Sequence, residues 1–294
     1  MSASVLFDSP GPRGRRTIAI LNGVGVLLAL VVVGLALWKF GQEGQLEASR
    51  WTSLLTSNAW TNYFLPGLRS TLLAALFAVV LALAFGLAFG LGRLAPYRVV
   101  RMFAGAVVEF FRAVPVLIMM IALWLGLGYA KVSFIPSTRV PLVAVVVALM
   151  LYNGSIIAEL VRSGVHGLPR GQREAAASIG MTHNQSLAYV QLPQALLAML
   201  PSLVSQFVII LKDSALGYII TFNEFLQLSR QFGAANGNML QALVLCAVVF
   251  IVINWLLTKL ADWVARRLSS HTSGRTAPRT PLPVQRAADE AAGP

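Results

Sequence analysis

Two pairs of charged residues interrupt long apolar stretches of this sequence: Glu109 with Arg112, and Lys212 with Asp213. Charged side chains inside membrane-spanning helices are costly and often serve the passage of a solute. Glu109 and Arg112 are three residues apart, so on a helix they share one face and can pair. Either the two neutralise each other, or Arg112, placed near mid-membrane by helical rise, lines a path or gate for an anionic solute.

The second pair has a different geometry. Lys212 and Asp213 are adjacent, so on a helix they point about 100° apart and do not simply pair. They fall near the outer end of their apolar stretch, where they either contact the solute or a gate or anchor the helix at the outer interface. Glu159, which lies three residues before Arg162, is interpreted as half of a structural ion pair.

Motifs of enzymatic sites are missing from the sequence. It contains no G-x-x-x-x-G-K-[ST], no H-E-x-x-H and no G-x-S-x-G. The three histidines are isolated from one another, and the single cysteine, Cys246, lies in an apolar run as a packing residue. We therefore expect no enzymatic activity and no metal or cofactor bound by this chain.

The charged pairs belong to a chain that is otherwise strongly apolar, with 57% hydrophobic and 12% charged residues among 294. A bilayer core takes roughly 20 apolar residues per helix, and a helix satisfies its own backbone polar groups. The fold class is therefore an all-α integral membrane protein. Six transmembrane helices are predicted at residues 17–38, 66–92, 102–128, 140–161, 194–220 and 239–262.

The net charge of +12 reflects topology, because the basic residues fall mostly between the apolar runs and in the C-terminal tail. A nucleic-acid partner is therefore not expected. Counted over alternate connections, fifteen Lys and Arg residues lie on one side of the membrane and five on the other. The positive-inside rule places both termini and the connection at residues 162–193 in the cytoplasm.

Three further segments have an interpretation from composition alone. The first apolar run is too long for a signal peptide and has no cleavage site after it, so it is a retained helix. Ala82, Gly86 and Gly90 are spaced by four and favour close helix packing over a role in lining a pore. Residues 263–294 are rich in Ser, Thr, Pro and Ala and are predicted to be a disordered cytoplasmic tail.

One cytoplasmic connection is unusually long and polar, with the sequence "REAAASIGMTHNQSLAYVQLP" at residues 173–193. A helical run from Glu174 is predicted to stop at Gly180, and a second run from Thr182, which caps it, to Tyr189 follows. Two short helices joined by a glycine form a compact docking element for a partner. The alternative is an amphipathic helix on the membrane surface, although such helices usually carry more basic and large apolar residues.

The spacing within this loop resembles the EAA signature of binding-protein-dependent ABC importer permeases. The matching residues are Glu174, Ala175, Ala176, Gly180, Val190, Leu192 and Pro193. Val190 stands where isoleucine is more common. The flanks, including "EFFRAVPVLIMM" and "VIILKDSAL", resemble permeases of the polar amino acid uptake group over about residues 60–262. The extra first helix and "DSPGPRGRR" resemble actinobacterial glutamate permeases of that group.

The resemblance implies a domain organisation. A five-helix type I ABC importer permease domain would occupy residues 66–262, with the coupling loop at residues 163–193. Before it stand a cytoplasmic N-terminal segment at residues 1–16, an extra transmembrane helix at residues 17–38 and an extracellular connection at residues 39–65. The tail follows at residues 263–294.

The resemblance also implies partners in a bacterial plasma membrane. Two permease chains, identical or homologous, would form the path for an amino acid, and an extracellular solute-binding lipoprotein would deliver it. Two ATP-binding subunits, which hold the ATP and Mg²⁺, would contact the coupling loop. The alternative is a secondary amino acid transporter that works on an ion gradient without an ATPase. Exchange of Glu174 for Lys or of Gly180 for Asp is expected to abolish uptake while the chain still inserts.

Overall fold

The computed structural model describes residues 11–270, which are helical over most of their length and contain no strand. Short 3₁₀ or π segments lie at Ser53–Leu55, Trp60–Phe64, Ser137–Arg139, Leu187–Gln191 and Ala215–Ile220. The α-helices in this range are α1 (Pro12–Gln42), α2 (Ala48–Thr52), α3 (Ser57–Ala59), α4 (Leu65–Leu94), α5 (Arg98–Ala113), α6 (Val116–Ala130), α7 (Val140–His166), α8 (Arg170–Ser178), α9 (His183–Ser186), α10 (Leu192–Ser214), α11 (Phe225–Asn236) and α12 (Met239–Ser270).

Five helices or helix runs in the described part of the chain are long and apolar enough to cross a membrane, and a bent pair adds a sixth crossing. The six-helix fold prediction is therefore confirmed in number and in class. The third predicted span, at residues 102–128, is wrong as a straight helix, because α5 and α6 meet at 97°. Pro115 causes the break, since proline lacks the amide hydrogen and forces Val114 before it into an extended conformation (φ −84°, ψ 126°).

The centre of the fold is the contact between α4 and α7. Ala82, Gly86 and Gly90 are all buried on α4, as the packing interpretation of this stripe predicted. A methyl group added at Gly90 would lie 2.8 Å from Cβ of Val161. The missing side chains at Gly86 and Gly90 therefore let the two helix backbones approach closely.

The predicted extracellular connection at residues 39–65 is ordered against the corner between α11 and α12. Arg50 Nη1 donates to the carbonyl of Gly237 at 3.0 Å, and Asn238 Nδ2 donates to Ser53 Oγ at 2.6 Å. Buried apolar side chains lie beneath these bonds, namely Leu54, Phe64, Phe225, Phe232 and Cys246. Cys246 is thus a packing residue, as its apolar surroundings predicted.

The two ends of the chain differ in what the structure describes. No residue of α1 is buried, so this helix stands apart from the core. The last helix, α12, continues to Ser270 and so overlaps the first eight residues of the predicted tail. Residues 1–10 and 271–294, which hold the rest of the predicted terminal segments and His271, lie outside the described residues.

Candidate functional site

The coupling loop folds into the two short helices that its sequence predicted. The first, α8, ends with Gly180 in the left-handed conformation (φ +82°). The Gly180 amide donates to the Ala177 carbonyl at 3.0 Å, and the Met181 amide donates to the Ala176 carbonyl at 3.1 Å. These two bonds form a Schellman motif, in which glycine is favoured because a side chain at positive φ is strained.

The second helix begins with a capping box, which confirms the predicted cap at Thr182. The Thr182 hydroxyl accepts from the backbone amide of Gln185. In return, Oε1 of the Gln185 side chain accepts from the backbone amide of Thr182 at 2.9 Å. After α9 the chain makes one π turn, Leu187–Gln191, and enters α10 with Pro193 in its first turn. The loop is therefore a fixed pair of helices continuous with a membrane-spanning helix.

The seven signature residues divide by exposure into two groups. Ala176 is buried, and Val190 and Leu192 are half-buried, so these three anchor the loop to the rest of the protein. The other four are exposed, namely Glu174, Ala175, Gly180 and Pro193. These four exposed residues make the coupling loop accessible to a partner.

Two large apolar residues that the sequence analysis did not single out lie on the surface of the coupling loop. Ile179 is 74% exposed and Tyr189 is 75% exposed. With Gly180, Met181 and Gln185 they line a shallow groove of about 360 Å³. Large apolar side chains in a loop that is predicted to face water are the sequence signal that would have found them.

Polar contacts tie the coupling loop to the membrane-spanning helices. His183 Nε2 lies 3.1 Å from the carbonyl of Leu94 at the end of α4. Gln194 Nε2 on α10 donates to Gln172 Oε1 on α8 at 3.2 Å. A displacement of the coupling loop would therefore act directly on α4 and α10.

Beside the loop, five charged residues join the ends of α4, α5 and α7. Arg93 Nη2 lies 3.1 Å from Glu109 Oε1, and Arg93 Nη1 lies 3.0 Å from Glu159 Oε2. Arg112 Nη1 is 3.7 Å from Glu109 and 3.8 Å from Glu159. Arg162 Nε donates to Glu159 Oε1 at 3.1 Å. We call these residues the ionic cluster, which carries three positive and two negative charges.

Both pairings inferred from the sequence, Glu109 with Arg112 and Glu159 with Arg162, are present in the ionic cluster. The sequence analysis missed Arg93, which connects the two carboxylates, because helix contacts decide which distant residues meet.

Arg112 lies near the end of α7 that leads into the coupling loop. Its partner Glu159 is 19 residues beyond Val140, about 29 Å along α7. The helical-rise count from Met102 assumes a straight crossing, whereas α5 and α6 meet at 97°.

The structure does not bring Lys212 and Asp213 to this cluster. Both lie near the opposite end of the protein, since the turn after α10 places Gly217 against Val145 near the start of α7. Within the described chain no salt bridge includes either residue. The candidate path residues therefore form two sites at opposite ends of the membrane-spanning helices.

A further acidic residue, Glu224, was missed by the sequence analysis. It is fully buried before α11, where its carboxylate accepts from the amides of Leu226 at 2.8 Å and Gln227 at 2.6 Å. Burial raises the pKa of Glu224 to about 7, although these hydrogen bonds act in the opposite direction. An acidic residue immediately before an amphipathic run is the sequence signal for such a cap.

The fold and the coupling loop define a multi-span helical membrane permease. Residues 82–270 match the family described as the binding-protein-dependent transport system inner membrane component. The chain belongs to this family. The expectation that it is not itself an enzyme agrees with this assignment.

Individual relatives are similar over most of the chain. The glutamate transport system permease protein GluD of Corynebacterium glutamicum is 48% identical over 77% of this chain and 82% of the relative. The glutamate/aspartate import permease protein GltK of Escherichia coli O157:H7 is 30% identical over 74% of this chain and 97% of the relative. A crystal structure of an amino acid ABC transporter with histidines has a TM-score of 0.66 and 28% identity, covering 74% of this chain and 98% of that one.

Proposed function

We propose that this chain is the transmembrane permease subunit of an ATP-driven, binding-protein-dependent importer of glutamate or another polar amino acid. The similarity to GluD and GltK, whose names specify glutamate and glutamate or aspartate, supports an acidic amino acid as the solute. The excess of arginine over glutamate in the ionic cluster suits an anionic solute.

The observation that carries the proposal is the exposed surface of the coupling loop. Gly180 lines a groove with the exposed apolar side chains of Ile179 and Tyr189, and Glu174 and Ala175 are accessible on the same loop, which is anchored to α4 and α10. A small, rigid, partly apolar projection of this kind suits the groove of a partner protein. The partner is an ATP-binding subunit, present as a dimer, which holds the ATP and Mg²⁺ that this chain does not bind.

The remaining partners follow from the same proposal. A second permease chain, identical or homologous, completes the path, and an extracellular solute-binding lipoprotein delivers the amino acid. The chain lies in the bacterial plasma membrane, with both termini and the coupling loop in the cytoplasm, because fifteen Lys and Arg residues lie on that side against five on the other.

The two charged sites have separate roles in this proposal. The ionic cluster, with Glu109 and Arg112, acts as a gate at the cytoplasmic end, since it joins three helices beside the loop that the ATPase moves. Lys212 and Asp213 lie at the extracellular end, where the solute enters.

The proposal is tested by uptake of labelled glutamate into liposomes that contain the chain, its partner permease, the ATPase and the binding protein. We expect uptake only with ATP inside, and the competition series of glutamate, glutamine, arginine and histidine identifies the solute. Glu174→Lys and Gly180→Asp should abolish uptake without loss of membrane insertion. Uptake by the chain alone on an ion gradient would establish the secondary transporter instead.

A further inference from the structure

A cavity of about 610 Å³ lies on the inner side of the coupling loop, between this loop and the ends of α4 and α7. Its charged lining consists of Arg93, Arg101, Arg170, Arg173 and Glu174. The lining thus holds four arginines and one glutamate, and His166 and His183 add further polar groups. The cavity is therefore built for an anion.

The cations that line the cavity differ in how far they are already engaged. Arg93 belongs to the ionic cluster. Arg101 donates to the carbonyls of Ala95 and Pro96 through Nη1 alone, which leaves its Nη2 for a ligand. Arg170 and Arg173 form no salt bridge within residues 11–270. These two arginines therefore offer guanidinium donors to a phosphate beside the start of α8.

The position of the cavity identifies its occupant. The apolar spans that include α4, α7 and α10 all end beside it, at Leu94, His166 and His183. Next to Arg101, the side chains of Val100, Met102 and Phe103 are exposed on α5. A basic cavity at the end of the spans, bordered by exposed apolar residues, is a surface for a charged headgroup and its acyl chains.

The ATPase is a less suitable occupant of this cavity. The groove at Ile179 and Tyr189, to which we assign the ATPase, shares no lining residue with the cavity. The groove is partly apolar, whereas the cavity is basic, and Glu174 is the one residue of the seven assigned to ATPase coupling that lines the cavity. The groove and the cavity therefore suit two different partners.

We infer that this cavity binds the phosphate of an anionic phospholipid from the adjacent leaflet, with Arg101, Arg170 and Arg173 as its ligands. The inference rests on the proposed function in one respect, namely that the coupling loop moves during transport. A lipid phosphate held between the loop and α4 makes that movement dependent on the anionic lipid content of the membrane.

The test uses the full-length chain in a neutral detergent, titrated with phosphatidylglycerol or phosphatidylcholine and observed by native mass spectrometry. We expect a clear preference for phosphatidylglycerol in the unchanged chain. The double variant Arg101→Gln with Arg173→Gln should bind phosphatidylglycerol about 30-fold more weakly. The variant Arg101→Lys with Arg173→Lys, which keeps both charges, should retain most of the binding.

Arg98→Gln is the matched control, because Arg98 is an exposed arginine at the start of the same helix but does not line the cavity. Equal binding of the two lipids, or an equal loss in Arg98→Gln, contradicts the inference. Displacement of phosphatidylglycerol by equimolar inorganic phosphate would identify a free-anion site instead. Loss of the lipid when the ATPase binds would assign the cavity to the ATPase.

The outcome is independent of the proposed transport activity, because lipid binding to the isolated chain is measured without uptake. Lipid binding with no ATP-driven uptake would overturn the proposed function and leave the lipid site in place. ATP-driven uptake by a chain that shows no preference for phosphatidylglycerol would overturn the lipid site and support the proposed function.

Discussion

Arg93 on α4 and Glu159 on α7 form an ion pair of 3.0 Å between the two helices that pack at the centre of the fold. The two residues are 66 positions apart in the chain, and their side chains are 13% and 22% exposed. The pair fixes the point where α4 and α7 reach the coupling loop, and Glu109 and Arg162 are attached to it.

Exchange of Glu159 for Gln should destabilise the protein by about 1–3 kcal/mol, since it leaves three arginines of the ionic cluster with one carboxylate. The measurement is thermal unfolding in detergent. Glu109→Gln is the matched control, because Glu109 is 60% exposed and its pairs are better solvated. An equal loss of stability in the two variants would show that the position of Glu159 between the helices has no special importance.

Exchange of Gly90 for Ala should cost about 1–3 kcal/mol, because the added methyl group would lie 2.8 Å from Cβ of Val161 and would separate α4 from α7. Gly105→Ala is the control, since a methyl group at Gly105 meets nothing within 4 Å. The control should be neutral or slightly stabilising, because alanine favours helix over glycine. Thermal unfolding of both variants measures the difference, and a stable Gly90→Ala protein would contradict the packing described.

Exchange of Gly180 for Ala should reduce ATP-driven uptake, because the residue has φ +82° and a side chain there strains the end of α8 by about 1–2 kcal/mol. No neighbour lies within 4 Å of the added methyl group, so the effect comes from the backbone and not from a clash. Gly171→Ala, in the same helix and equally free of neighbours, should transport normally. Uptake and ATPase activity of the assembled complex are the measurements, and parallel behaviour of the two variants would argue against the role of the turn.

Stability should depend on pH through Glu224. Because its pKa in the folded protein, about 7, is above the ordinary value of 4.5, the folded state favours the protonated carboxyl. The contribution of Glu224 to the free energy of unfolding is full below pH 4.5. It is lost as the pH rises through about 7, which lowers that free energy by about 3 kcal/mol. Unfolding measured between these pH values should show the decrease.

The variant Glu224→Gln should flatten this dependence, since the amide does not titrate over the same range. Glu47→Gln removes an exposed carboxyl and should leave the slope of the unchanged protein intact. A slope that persists in Glu224→Gln would assign the pH dependence to other groups.

Much of the coupling loop was predictable because its signals are local. The turn at Gly180 follows from the conformational freedom of glycine, and the cap at Thr182 follows from a hydroxyl three residues before Gln185. Ile179 and Tyr189 stand out in the sequence as large apolar residues of a loop predicted to face water, but their shared groove depends on how α8 and α9 fold together.

The sequence by itself determined the number of membrane-crossing segments, the small face of α4 and the two helices of the coupling loop, because hydropathy, side-chain size and caps act over a few residues. Tertiary structure alone decided that Arg93 lies between Glu109 and Glu159, and that residues 43–55 pack on the corner of α11 and α12. The bend at Pro115 depends on both the local sequence and the tertiary structure. Proline breaks the helix locally, and packing against α4 and α7 fixes the direction of α5. Long-range contacts depend on which helix faces meet, and that is a property of the folded chain as a whole.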